Sequence, residues 1–282
     1  MVVLPYGRHQ LGEDDIEAVV DVLRNGALTS GPKAGEFEAA FARKIGVKEA
    51  VVCSNGTTAL HLAVLASNLG PGDTAIVPSV TFLSTANAVR MTGAEVVFAD
   101  VDSETGLLTA ETLLAAYQKA DGNVKAVLPV HLNGQCADIA AIKDIAVSNH
   151  SVVISDCCHA LGAEYKAGGR PGDGQFEDLA CFSLHPVKSI AMGEGGMITT
   201  NDSDQAARMR LLRGHDMKRD ADGWTLDDMA LDARGEPNPW FYEMQELGFN
   251  YRAPDILCAL GLSQLKKLDG FISRRIQIAK KY

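Results

Sequence analysis

The chain has 282 residues, 46% of them hydrophobic and 22% charged, enough for a large soluble core built as one α/β domain or one domain with a smaller appendage. A formal net charge of -10 argues against nucleic acid or an anionic membrane surface as the main partner, since both are met by basic patches. It leaves room for one phosphorylated small molecule held by backbone amides and a few side chains. The start, Met1 to Tyr6, is too short and uncharged for a signal peptide, and no apolar run reaches the length of a membrane span. A cytoplasmic protein is expected. Cysteines 53, 136, 157, 158, 181 and 258 form neither CxxC pairs nor a zinc spacing. They read as small apolar residues in a reducing compartment, with Cys157–Cys158 the only redox candidate and no metal site expected.

Pro5 to His9 reads as an extended arm. Helical periodicity marks Asp14 to Leu23, with acids at the positive end of the helix dipole, and the Gly, Ser and Pro content of Asn25 to Pro32 marks a loop. A second amphipathic helix spans Lys33 to Ile45. From there short apolar runs alternate with helical ones. Strands are expected at Ala50–Cys53, Thr74–Val77, Glu95–Ala99, Lys125–Val130 and Ser151–Ser155. Helices are expected at Thr57–Ser67, Leu83–Met91, Ala110–Lys119 and Ile139–Val147. Continuous Val/Ile/Leu strands alternating with helices indicate a mostly parallel sheet covered on both faces. Ligands of such sheets bind beyond the carboxyl ends of the strands. Two further strands, Leu179–Phe182 and Met197–Thr200, flank a turn that carries Ser183, Lys188 and glycines 193, 195 and 196. Asp216 to Trp240 is polar and aperiodic, a lid or an arm toward a partner subunit. Pro254 opens a last helix running to Tyr282, its buried stripe being Leu257, Leu260, Leu265, Leu268, Ile272 and Ile276.

The chemistry-bearing residues fall at the expected carboxyl edge. In Ser54-Asn-Gly-Thr-Thr58, Gly56 permits close backbone approach, and the amides of Thr57 and Thr58 start a helix where an anion could sit, unless this is simply a capped helix. The stretch is neither a P-loop nor GxGxxG, so the phosphate is not that of a mononucleotide or dinucleotide. Asp156 ends an apolar strand, where a carboxylate needs a partner: a cationic ring nitrogen, or the amides of a helix it caps. His159 is a general acid, a stacking residue or a structural histidine, and Phe82 is core or a stacking face for a planar ring. Lys188, before a flexible Gly-rich return, is either a solvated charge or an amine placed to form a Schiff base. Asp100 to Glu111 has acids at calcium-loop positions, but its glycine is one place late and a strand precedes it, so it reads as a solvated connection. Ser183 and Lys188 are not spaced as SxxK, which speaks against an acyl-serine mechanism.

Together, Ser54–Leu60, Pro78–Phe82, Asp156–Ala160, Phe182–Lys188 with Gly193–Gly196, and Gly248–Arg252 resemble the DegT/StrS-type nucleotide-sugar aminotransferases, which are pyridoxal-phosphate (PLP) enzymes of fold type I. The resemblance implies a mostly parallel central sheet flanked by helices, a large cofactor-binding unit with its arm over residues 1–250, and the start of a small C-terminal domain over 251–282. In the family that domain continues past the position of Tyr282. The resemblance makes Lys188 the Schiff-base lysine and proton shuttle, and pairs Asp156 with the pyridine nitrogen. It stacks Phe82 on the ring and sets His159 against the other side or near the phenolic oxygen. Gly56, Thr57, Thr58 and Ser183 then hold the phosphate. Asn250 reaches the cofactor of a neighbouring subunit, so a homodimer with shared sites is implied. His185-Pro-Val-Lys188, the His159 position and Pro5–Arg8 look most like the transaminases of pseudaminic acid biosynthesis. That points to a UDP-linked 4-keto-6-deoxy-N-acetylhexosamine as acceptor and glutamate as donor, with Tyr6 stacking on the uracil. The alternatives are another nucleotide-linked keto sugar, or a PLP-binding protein with a regulatory rather than catalytic role. A PLP-dependent sugar dehydratase is disfavoured, because those relatives carry histidine where Lys188 stands.

Overall fold

The computed structural model describes residues 7–120, 123–220 and 223–282; the position of Tyr6 therefore lies outside the described residues. Two amphipathic helices, α1 (Glu13–Asn25) and α2 (Lys33–Ile45), precede the alternating region. That region runs β1 (Glu49–Cys53), α3 (Gly56–Ala66), β2 (Asp73–Pro78), α4 (Leu83–Arg90), β3 (Glu95–Ala99), α5 (Ala110–Lys119), β4 (Asn123–Val127), α6 (Ile139–Ser148), β5 (Val152–Asp156), β6 (Leu179–Ser183) and β7 (Gly196–Thr200). The strands form one seven-stranded sheet in the order β1-β7-β6-β5-β4-β2-β3. Neighbouring strands from β3 to β6 are parallel, and β7 is antiparallel to both of its neighbours.

This topology fixes the site. Because β7 alone runs backwards, its first residue lies at the same edge as the last residues of the other strands. Gly196 pairs with Cys53 on one side and Ser183 on the other, and Asp156 pairs with Cys181 one strand further on. The strands are apolar on both faces because helices cover both: one buried cluster joins Leu60, Leu62, Val77 and Ile154, and another joins Phe37, Phe41, Phe182 and Met197.

Three segments differ from the sequence reading. Residues 203–212 form a helix, α7 (Ser203–Leu212), that the sequence reading lacks; Asp202 caps it by accepting from the amides of Asp204 at 2.9 Å and Gln205 at 3.1 Å. The polar excursion holds more order than its composition suggests. A short ladder pairs β8 (Met217–Lys218) with β9 (Glu243–Met244) around the four-residue helix α8 (Asp227–Ala230), and buried Glu243 accepts from the amides of Thr225 and Leu226. The last helix is two helices, α9 (Asp255–Leu265) and α10 (Leu268–Ala279). Tight i to i−3 bonds from the amides of Lys266 and Lys267 end α9, while the Lys267 amine pairs with Asp14 and with buried Asp15 on α1, at 2.6 Å each. The expected stripe therefore stops short: Leu265 and Leu268 are buried, but Ile276 is exposed. α9 contributes Cys258 and Leu265 to the cluster of Phe37 and Phe41.

The close approach of β7 to the β1–α3 turn makes Gly196 a steric requirement: a Cβ there would run into the backbone carbonyl of Asn55. Gly196→Ala is expected to cost about 1–3 kcal/mol of unfolding free energy. Gly270→Ala, whose Cβ would meet nothing within 4 Å inside α10, should be neutral or mildly stabilising. Denaturation midpoints of the two variants check this.

Candidate active site

The site is a cup at the carboxyl edge of the sheet. Asp156 forms its floor, 5% exposed at the end of β5. One carboxylate oxygen accepts from the Thr85 hydroxyl at 2.8 Å, and the other from the Cys158 amide at 3.1 Å. Thr85 is in turn 2.7 Å from the Thr81 hydroxyl. The loop that presents Phe82 is thus tied through its own helix to the acid. Behind Asp156 the His131 amide donates to its carbonyl at 3.1 Å. The His131 ring accepts from the Ala137 amide at Nδ1 and so donates from Nε2 to Tyr165, whose hydroxyl donates to Glu177. Burial pushes His131 down to about 4, against the pull of Asp156, and raises Glu177 to about 7. The wall behind the acid is therefore a buried polar chain rather than exposed loop.

One side of the cup is the start of α3. Asn55 caps it: its side chain accepts from the Thr58 amide at 2.9 Å, and the Thr58 hydroxyl donates to the Asn55 carbonyl at 2.9 Å. This corrects the role expected of Thr58, whose amide is spent on the local cap. The donors left to meet an anion are the amides of Gly56 and Thr57, which have no backbone partner among the described residues. A Cβ on Gly56 would stand 2.9 Å from Ser183 Cβ and 3.2 Å from Cys158 Sγ, so this glycine lets the helix start close onto the end of β6. Ser183 Oγ borders the same space and accepts from the His185 amide at 3.4 Å.

Phe82 is 68% exposed at the N-terminus of α4, which settles the choice between core and surface: it is an aromatic face left open beside the Asp156 loop. His159 is half-buried, and its Nδ1 accepts from the Asn133 amide at 3.2 Å, leaving Nε2–H as its free donor. Burial, and the positive charge of Lys188 after it, hold His159 below its ordinary value, with Asp156 opposing. The same pair of charges acts on Cys158. Asp156, Cys158, His159 and Lys188 thus share one neighbourhood, and the Lys188 amine enters none of the ion pairs among the described residues. Asn250 is set apart: it is exposed, bridges Gly214 through its backbone, and lies on a segment whose Tyr251 carbonyl accepts from the Ser54 amide. The cysteines are poor nucleophiles, since burial raises Cys53 to about 11 and lifts Cys157, Cys158 and Cys181 well above the usual thiol range. Asp102 spends its side chain on the amides of Glu104 and Thr105 in a turn.

These residues fit PLP. Close approach at Gly56 with two open amides and Ser183 suits a phosphate, the exposed Phe82 face suits a planar ring, and the floor carboxylate suits a cationic ring nitrogen. A mostly parallel sheet with such a cup at its carboxyl edge defines a fold type I PLP-dependent enzyme. Residues 9–282 match the profile of the DegT/DnrJ/EryC1/StrS aminotransferase family, and the chain belongs to that family. It is 37% identical over 281 residues to a UDP-4-amino-4-deoxy-L-arabinose–oxoglutarate aminotransferase of Shewanella sediminis, covering 99% of this chain and 68% of that protein. Among solved structures it resembles Helicobacter pylori PseC, an aminotransferase of pseudaminic acid biosynthesis, with a TM-score of 0.80, 30% identity, and coverage of 94% of this chain and 66% of that one. It also resembles the PMP form of the putative sugar aminotransferase Spr1654 of Streptococcus pneumoniae, with a TM-score of 0.87, 28% identity, and coverage of 99% and 71%. The chain thus spans about two thirds of the length of these relatives.

Sequence reasoning missed Thr85 and the Cys158 amide as the partners of Asp156. Thr85→Val would leave one buried carboxylate oxygen without a donor, costing about 1–3 kcal/mol. A melting temperature lowered by a few degrees, restored in Thr85→Ser, checks it.

Proposed function

We propose that the chain transfers an amino group from glutamate to C4 of a UDP-linked 4-keto-6-deoxy-N-acetylhexosamine. The observation that carries the aminotransferase part is Asp156, buried and doubly hydrogen-bonded at the end of β5, with Lys188 in the turn that follows the neighbouring strand β6 at the same sheet edge. Support for the UDP-sugar and for glutamate comes from the names of the relatives alone: one is an oxoglutarate aminotransferase acting on a UDP-linked amino sugar, another belongs to pseudaminic acid biosynthesis. The first also favours the second reading, a different nucleotide-linked keto sugar as acceptor.

Bound PLP supplies an electron sink for negative charge developing on the substrate carbon. The chain's own residues do the rest. Asp156 keeps a proton on the pyridine nitrogen, and its two donors hold it in place for that task. Lys188 holds the cofactor and moves a proton to or from the substrate carbon, a role worth on the order of 10²–10⁴-fold in rate. Phe82 covers one face of the ring, and His159, kept neutral, offers Nε2–H to an oxygen of cofactor or substrate. Gly56, Thr57 and Ser183 anchor the phosphate, with Tyr6 proposed for the uracil. We further propose a homodimer in which Asn250 completes the partner's site. The exposed apolar side chains around the excursion (Leu226, Met229, Trp240, Tyr242, Met244 and Leu247) support it, being a surface that a second copy would cover. Residues 251–282 are proposed to lead from the cofactor-binding unit over 1–250 toward a second unit. The support is that α10 leaves the core after Ile272, with Ile276 and Ile278 exposed.

PLP-loaded protein incubated with glutamate and then with the UDP-keto sugar should release 2-oxoglutarate and yield the 4-amino sugar. Lys188→Ala should lose turnover by at least two orders of magnitude. Bound cofactor with no 2-oxoglutarate would contradict an aminotransferase and leave a binding protein. Amination of other nucleotide-linked keto sugars alone would favour the second reading. Full activity of a monomer, measured by light scattering, would remove the role given to Asn250.

A further inference from the structure

The buried polar chain behind the cup ends on a group to which the proposed reaction gives no part. Glu177, 4% exposed just before β6, enters no ion pair among the described residues. The ionisable groups that share its field are Asp173 and Tyr165, with the thiols of Cys136 and Cys157 beyond, and all of these are acids. A carboxyl group buried without a cation is costly. Two donors offset the cost: the Gly172 amide at Oε1, and the Tyr165 hydroxyl 3.2 Å from Oε2. The chain of donors runs in one direction. The Ala137 amide, 3.2 Å from His131 Nδ1, leaves the ring proton on Nε2. That proton points to the Tyr165 oxygen at 3.1 Å, and the Tyr165 proton is left for Glu177. Glu177 is the acceptor on which the line closes.

The other end of the line is Asp156. β4 stops at Val127 and pairs with β5 through Ala126 and Val127. Beyond it the Asp156 main chain is clasped by residues 129–131. The Asp156 amide donates to the Pro129 carbonyl at 2.8 Å, and its carbonyl accepts from the His131 amide at 3.1 Å. Val130 bridges Asp156 in the parallel sense between them. The inward anchor of this clasp is the His131 ring, which is fully buried. We propose that Glu177, acting through Tyr165 and His131, is a positioning residue that fixes the height of the Asp156 carboxylate against the cofactor's ring nitrogen. The inference rests on the reading of the cup as a PLP site. A role confined to stability is the rival, and the bound cofactor tells the two apart. Pinning Asp156 governs the proton on the ring nitrogen, whereas packing alone does not.

The test compares Glu177→Gln and Tyr165→Phe with the wild-type chain. Glu177→Gln keeps the shape but turns one acceptor into a donor, and Tyr165→Phe removes the middle link. Tyr117→Phe is the control, losing a hydroxyl bond elsewhere, to Ser151 at 2.8 Å. PLP affinity is titrated by absorbance, and the band of the bound cofactor is followed against pH. Each chain variant should weaken PLP by about 10-fold or more. Each should also raise the pH at which the band changes, because a ring nitrogen without its proton no longer opposes a positive charge on the nitrogen joined to Lys188. Tyr117→Phe should lower the melting temperature and leave both readouts unchanged. Equal shifts in Tyr117→Phe, or wild-type affinity and titration in a folded Tyr165→Phe, would overturn the proposal. Should neither chain variant fold, NMR of isotope-labelled histidine in the wild-type chain decides. PLP should move the His131 Nε2 signal, and an unmoved signal would overturn the proposal as well. If the variants shift affinity and band but the loaded wild type converts no glutamate, the aminotransferase reading fails and the positioning role stands. If the wild type transaminates and the variants match it in both readouts, the positioning role falls and that reading stands.

Discussion

A carboxylate buried at the end of a parallel strand is costly unless its oxygens are met, and the structure around Asp156 is arranged to meet them. Thr85 from α4 and the Cys158 amide each supply one donor, so the β2–α4 connection and the β5–β6 connection are both fastened to one side chain. The fastening decides where Phe82 and His159 stand, since each lies on one of those connections.

The sheet order brings the remaining parts to the same place. A reversed β7 puts Gly196 between Cys53 and Ser183, and the absence of a side chain there lets the β1–α3 turn come down onto the sheet edge. Gly56 repeats the device one layer out, against Ser183 and Cys158. The amides of Gly56 and Thr57, the serine hydroxyl and the acid are thereby held by backbone packing, the kind of preorganisation that catalysis draws on. The lysine turn is held from the outside, by the hydrogen bonds Arg275 makes to two of its carbonyls.

Much of this was legible in the sequence, for identifiable reasons. Interior strands buried on both faces spell short apolar runs, and even the more exposed edge strand β3 keeps Val96 and Val97, so β1 to β7 lie within two or three residues of their expected spans, and Asp156, Ser183 and Lys188 fall at or just beyond strand ends, where ligands bind. What escaped were effects of side-chain geometry. Thr85 lies 71 residues from Asp156, and no local pattern announces that bond. The Asn55 side chain takes the Thr58 amide, a choice between cap and ligand that spacing leaves open. α7 was missed although Asp202 is a helix-start signal, because its apolar residues are few. The single last helix was an error of continuity: periodicity runs on through Lys266 and Lys267, while tight terminal bonds and the pull of Asp15 on Lys267 divide it.

The central claim, that the Asp156 cup makes Lys188 the residue that carries the cofactor, has a direct measurement. Protein loaded with PLP, reduced with borohydride and digested should show the pyridoxyl mass on the peptide containing Lys188. A tag on another lysine, or no tag on a chain that binds the cofactor, would contradict the account.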